Sequence, residues 1–232
     1  MTSPNPTPNS ALNFEDLLKE AEVAHGHLCA GQILGVRMAI LGCQRLGVED
    51  PRGRITPDSR DRKRLVTFVE IDRCATDAIG VVTGCRLGKR ALKFRDWGKM
   101  AATFVDLQAP LHAEGQAPVY KAIRIAALES SKARARELYP HIENKNQQQM
   151  LAYRELPDAD LFSEQWVQVS LHPREMPGYK SPRIACDHCG EGINYDRETV
   201  VASSSGPGQI LCHACAHPES CYYQPLPTQP NS

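Results

Sequence analysis

Four absences narrow the reading of this chain before any motif is considered. There is no net charge, because 27 Lys and Arg balance 27 Asp and Glu. No global field therefore draws the protein onto nucleic acid or an anionic membrane. There is no apolar run approaching a bilayer span, which takes roughly 20 residues. The first ten residues, MTSPNPTPNS, have neither the basic start nor the apolar stretch of a secretory signal. An even disulfide framework is missing too. Nine cysteines is an odd count, and four of them stand in C-x-x-C pairs. That usage fits metal-bound thiolates in a reducing compartment better than disulfides. These features lead us to expect a cytoplasmic protein with no membrane segment. Its 232 residues leave room for one sizeable core and a small appendage.

Among the features that are present, His25-Gly26-His27-Leu28-Cys29-Ala30-Gly31 organises the rest. Imidazole and thiolate are ligands for borderline-soft metals, and together they also make an activated sulfur nucleophile. On an extended backbone, positions 25, 27 and 29 would project to one side. The following GQILGVRMAILGCQRLG has a helical apolar period, which places Cys29 at a helix N-terminus where partial positive charge favours thiolate. The plainer reading is a helix entry with two incidental histidines and an inert cysteine. Gly31, Gly35, Ala39 and Gly42 form a stripe of small residues that admits a close helix neighbour, in this chain or in a second copy of it.

Elsewhere the pattern mixes helices and strands without a strict βαβ repeat, so the expected class is α+β. Helices are expected over Phe14–Ala21, Cys74–Val82, Leu128–Tyr139 and Asn146–Arg154. Strands are expected over Leu65–Ile71, Leu92–Phe94, Ala102–Val105, Val119–Ile125 and Trp166–Val169, with residues 51–64 a loop. Cys74 opens a helix, and Asp77 shares its face. Cys74 is thus a further candidate donor, with Asp77 placed to orient an imidazole. Cys85 would return to that face only if the helix ran on past Gly84, and the plainer reading makes both Cys74 and Cys85 buried small hydrophobes.

Residues 173–182 hold three prolines and a glycine and mark a boundary. Beyond it, Cys186-x-x-Cys189 and Cys212-x-x-Cys215 are separated by 22 residues. Two such turns close a tetrahedral four-cysteine site, usually of zinc and usually structural. His188, His213 and His217 lie close enough in sequence to substitute. Between the outer cysteines one Arg faces four carboxylates, which disfavours phosphate contact and favours a protein partner. The domain reading is a tail over 1–12, a core over 13–172, a linker over 173–183, a ribbon over 184–217 and a tail over 218–232.

Two basic runs remain. One holds Arg52, Arg54, Arg60, Arg62, Lys63 and Arg64; the other holds Arg86, Lys89, Arg90, Lys93, Arg95 and Lys99. Both read either as solvated faces or as the lining of a cleft for an anionic ligand, with Gly84 and Gly88 admitting close backbone approach.

HGHLCAG, CATDAIGVVTGCRLGK, FRDWGK and the four-cysteine ribbon occur in the order seen in the FmdE family, named for a component of molybdenum or tungsten formylmethanofuran dehydrogenase. The chain resembles that family over roughly residues 15–217. The resemblance implies an α+β core, an intertwined homodimer and a C-terminal zinc finger of the TraR/DksA four-cysteine type. It also implies an active-site cleft containing residues 25–31 and Cys74. Ala30 stands where the family usually has proline. Both residues suit a helix start, so the ligands need not move.

The expected metal ligands are Cys186, Cys189, Cys212 and Cys215 for a structural zinc. A second transition metal, zinc by preference, would take His27, Cys29, Cys74 and His25. Cys29, His27 and Asp77 are the catalytic candidates, and Lys89 and Lys99 the anion contacts at the rim. Two function classes stand side by side. One is an enzyme or metallocofactor-handling accessory protein acting on an anionic small molecule or metallocofactor. The other is a non-catalytic zinc-dependent adaptor whose ribbon binds a protein.

Overall fold

Gly35 sets the geometry of the helical layer. A Cβ there would lie 2.5 Å from the Ala75 carbonyl oxygen and 2.8 Å from the Ala78 Cβ. Only glycine lets the two helices approach this closely. The computed structural model describes residues 11–55, 61, 63–112, 118–202, 208–224 and 226. The chain divides into two compact units, Met1–Gly178 and Tyr179–Ser232.

In the first unit, α1 (Phe14–His25) starts at Asn13, whose side chain accepts from the Asp16 N–H at 3.1 Å. It ends at Gly26, whose φ of 95° turns the chain away from the helix. After three intervening residues α2 (Ala30–Arg45) begins, with Cys29 at its N-cap in an extended conformation. The HGHLC stretch is therefore a helix end, a left-handed glycine and a new helix start. The extended segment expected from alternation does not form.

Most of α2 is buried. One side meets α3 (Cys74–Thr83), and the other meets the sheet, where a Cβ on Gly42 would lie 2.4 Å from the Phe104 ring. The small-residue stripe is thus filled within the chain by α3 and Phe104. Gly84, at φ 70°, ends α3 and returns the chain toward the sheet.

The sheet comprises β1 (Leu65–Val69), β2 (Leu92–Phe94), β3 (Ala101–His112), β4 (Val119–Ala127) and β5 (Phe162–Ser170), in the order β2-β1-β3-β4-β5. β1 and β2 are parallel and the other pairs antiparallel. The Asp96–Lys99 turn connects β2 to β3, but β1 lies between those two strands. Alternation sends Phe104, Ile123 and Ile125 into the main core with α2, and Val105, Ala122 and Tyr120 into a second cluster on the opposite face. Leu171 and Met176 cover that second face, so residues 173–178 belong to the core unit and not to a linker. Leu12 is buried as well, so the ordered core starts before residue 13. Residues 1–10 lie outside the described ones, as do 225 and 227–232 of the expected C-terminal tail; Pro218–Ser220 within it form a 3-10 turn.

Helices α4 (Ser130–Leu138), α5 (Lys145–Glu155) and α6 (Asp158–Leu161) complete the unit. Arg37 of α2 donates to the carbonyls of Tyr153 and Leu156 at 2.9 and 2.5 Å and to Asp158 at 2.5 Å. It thereby occupies the carbonyls left open at the end of α5. Arg124 holds Glu70 through two 2.7 Å bonds, and Glu70 is 2 % exposed. No described helix is long and apolar enough to cross a membrane.

The second unit contains two small hairpins, β6 (Ile184–Ala185) with β7 (Gly192–Ile193) and β8 (Thr199–Val201) with β9 (Gln209–Leu211), followed by α7 (His213–Ala216). Among the described residues its buried apolar cluster is only Cys186, Ile193 and Leu211.

Gly35→Ala tests the helix contact. Alanine improves helix propensity by about 1 kcal/mol, but the added Cβ meets backbone, which cannot rotate away. Overpacking of this kind costs about 1–3 kcal/mol, so a lower urea midpoint is expected. An unchanged or raised midpoint would show that α2 and α3 are less tightly apposed.

Candidate metal centres

The first centre lies where α1 ends and α2 and α3 begin. One ligand atom from each of His25, His27 and Cys29 falls within 4.8 Å of the others. The two imidazole rings are 4.8 Å apart at 43°. His25 Nδ1 lies 2.8 Å from Asp77 Oδ2. With the Nδ1 proton donated to that carboxylate, Nε2 keeps its lone pair for a metal. The structure therefore brings Asp77 onto His25, the partner type the helix face allowed.

Cys74 stands beside this trio and outside it. Seen from the point a Gly31 Cβ would occupy, Cys74 Cβ is 3.1 Å and Cys29 Sγ 3.7 Å away. Burial pushes the Cys74 thiol above its ordinary value, and hydrogen bonding to Cys29 and its charge push it the same way. Burial is the larger of these effects on Cys74, and a cation beside it would favour its thiolate.

Gln32, absent from the sequence-based candidates, is fully buried and donates from Nε2 to the Cys74 carbonyl at 2.7 Å. Its Oε1 is buried without a partner among the described residues. A polar residue on an otherwise apolar helix face was the one signal that could have found it.

Cys29 and Cys74 open onto a cavity of about 360 Å³. Leu34, Met100 and Leu128 give it apolar walls, Asn146, Gln149 and Tyr153 give it polar groups, and Arg73 and Lys132 supply positive charge. Lys89 and Lys99 are not among its lining residues; Lys99 Nζ sits 5.9 Å from the Trp97 ring centroid instead. Described members of the basic runs are mostly paired. Arg64 binds Asp106 and Asp61, Arg95 binds Glu175, and Arg52 and Arg54 share Glu20. Arg90 and Lys93 donate to the carbonyls of Arg174 and Glu175. Arg60 and Arg62 lie outside the described residues. Cys85 is buried, accepting from the Thr67 hydroxyl and donating to the Leu65 carbonyl, as a structural thiol does.

The second centre is Cys186, Cys189, Cys212 and Cys215, whose sulfurs all lie within 4.8 Å of one another. Gly190, at φ 76°, closes the first turn by donating to the Cys186 carbonyl, and Cys212 caps α7. The backbone N–H groups of Cys189 and Cys212 lower the Cys186 thiol to about 6, while Cys212 first and desolvation second push Cys215 up. His213 and His217 lie against each other with their rings tilted by 46° and take no place in the group.

The family model described as "FmdE, Molybdenum formylmethanofuran dehydrogenase operon" matches residues 24–163. A solved FmdE-like protein of the tungsten formylmethanofuran dehydrogenase type, from Syntrophus aciditrophicus, shares the fold at a TM-score of 0.54 and 16% identity, over 90% of this chain and 94% of that one. A probable S-adenosyl-L-methionine-binding protein of Archaeoglobus fulgidus is 40% identical over 90 residues, 38% of this chain. The chain spans 23% of the length of that curated relative.

Replacing Cys189 by serine is expected to remove one equivalent of bound metal and amide protection across residues 184–217, while helices and strands of the first unit keep theirs. So small a core relies on its metal to fold. Unchanged metal content, or loss of protection throughout the chain, would count against two separately stabilised units.

Proposed function

The chain belongs to the FmdE family, and on that premise we propose that it is a zinc-dependent enzyme or metallocofactor-handling protein working at its His/Cys centre. One observation supports this above the rest: a donor trio beside a second thiol, both cysteines lining a cavity large enough for a small molecule. A centre serving only the fold would be closed by a fourth protein ligand and sealed. His25, His27 and Cys29 are the ligands in this reading, with Cys74 either completing the set or facing the substrate.

A zinc ion here would supply Lewis acidity and a bound water of lowered pKa. The chain's own groups do the remaining work. Asp77 fixes the His25 tautomer, and Gln32 fixes the backbone that carries Cys74. Arg73 and Lys132 favour an anionic substrate, and Asn146 and Gln149 offer amides to its polar parts. S-adenosyl-L-methionine, the ligand in the name of the A. fulgidus relative, is one molecule to titrate into this cavity. Saturable binding there would turn the reading toward group transfer.

In the same reading the four-cysteine unit holds a structural zinc, a protein surface being its natural partner given its acidic character. The homodimer rests on family resemblance, since the small-residue stripe is occupied from within. All nine cysteines are free thiols, in keeping with a cytoplasmic setting.

Metal content tests the centre. Cys29→Ser and His27→Ala are expected each to lower bound metal by one equivalent and leave the ribbon's metal in place. Asp77→Asn should keep the ligands but weaken affinity about 10–100-fold. A single equivalent in the wild type, unaffected by Cys29→Ser, would leave the adaptor reading.

A further inference from the structure

A second cavity, apart from both cysteine centres, lies along the seam where α1 meets the C-terminal half of α3. Its volume is about 390 Å³, and Lys19, Arg52 and Arg86 line it with Glu20 as the only carboxylate. The two basic runs thus meet here through one arginine each, beside Gly84, and not at the thiol cavity. Arg52 Nη1 donates to Glu20 at 2.7 Å, and Arg54 takes the other oxygen of that carboxylate. Lys19 and Arg86 make no ion pair among the described residues. Arg52 Nη2 is buried and lacks an acceptor among them.

In a chain of zero net charge whose arginines are largely paired, two unpaired cations and an orphaned guanidinium nitrogen converge on one recess. The α3 C-terminus contributes roughly half a negative charge, so three cations still outweigh the carboxylate and the helix end. Gly84 has no side chain where a Cβ would come within 3.0 Å of Arg52 Cγ, so the arginine stem can lie against the helix end. Val23 and Val81 add apolar surface beside the charges.

We propose that this recess binds a small organic phosphate, its dianionic group held by Lys19, Arg86 and Arg52 and its body resting on Val23 and Val81. Planar nitrogen donors and an ammonium are the groups that recognise phosphate oxygens. The volume exceeds what a bare phosphate ion needs, and the valines give the ester portion a surface. The site does not depend on the metal reading, because none of its residues is a candidate ligand.

Phenyl phosphate and inorganic phosphate, titrated separately into the full chain at constant ionic strength by calorimetry, test this. Both should bind saturably, phenyl phosphate several-fold tighter. Lys19→Gln and Arg86→Gln should each weaken phenyl phosphate about tenfold, the effect of removing one hydrogen bond to a charged group. Both positions are exposed, and unchanged thermal melts would confirm that the variants fold. Lys132→Gln, in the thiol cavity, should leave the affinity unchanged. Absence of saturable binding, indifference to both seam substitutions, or an equal loss with Lys132→Gln would each overturn the assignment.

Discussion

The close approach of α2 to α3 is the constraint on which the rest of the first unit depends. Cys29 caps one helix and Cys74 begins the other, so their separation is set by how near the two helix starts can come. Gly31 and Gly35 make that distance small, since the bulk of a side chain at either would meet α3. The same contact carries Asp77, one turn into α3, to His25 at the end of α1. Steric permission on a helix face thereby becomes the geometry of a donor cluster.

Much of this was legible in the residues because it is encoded locally. The C-x-x-C pairs form their own turns, and the helical period of α3 and the alternation of β4 each need only a few neighbouring positions. The order of the strands was not legible. That β1 inserts between β2 and β3 depends on contacts between residues far apart in the chain, on which local pattern is silent. The small-residue stripe shows the difference sharply. Periodicity identifies a face that something must approach closely, but it does not say what. Here the occupants are Ala75, Ala78 and Phe104 of the same chain. His25, His27 and Cys29 were likewise legible as donors, while the turn that gathers them was not: Gly26 in a left-handed conformation does what an extended segment was expected to do.

Charge was harder still. Two runs rich in arginine and lysine read either as solvated faces or as the lining of a cleft for an anionic ligand, yet most of their described members hold the fold together. Arg64 ties the start of β1 to β3 through Asp106, and Arg95, Arg90 and Lys93 hold the segment around Arg174 and Glu175. Paired guanidinium groups of this kind act as structural cross-links, and sequence cannot separate them from binding groups because the pairing carboxylates and carbonyls lie tens of residues away. What sets Lys19 and Arg86 apart is that they line one recess with Arg52, a convergence made by the fold and not by the local sequence.

The Arg37 clamp has a bearing on selectivity. By holding the end of α5 against α2, it joins the wall bearing Asn146, Gln149 and Tyr153 to the helix that Cys29 caps. Ser131 on α4 is joined in turn through its hydroxyl to Tyr153 at 3.3 Å. The thiols and that wall are thus tied through one set of contacts, which resist a change in the width between them. In the reading proposed above, a cavity braced this way would sort molecules by whether they fit a preset aperture, leaving adjustment to its long lining side chains, Lys132 and Arg73.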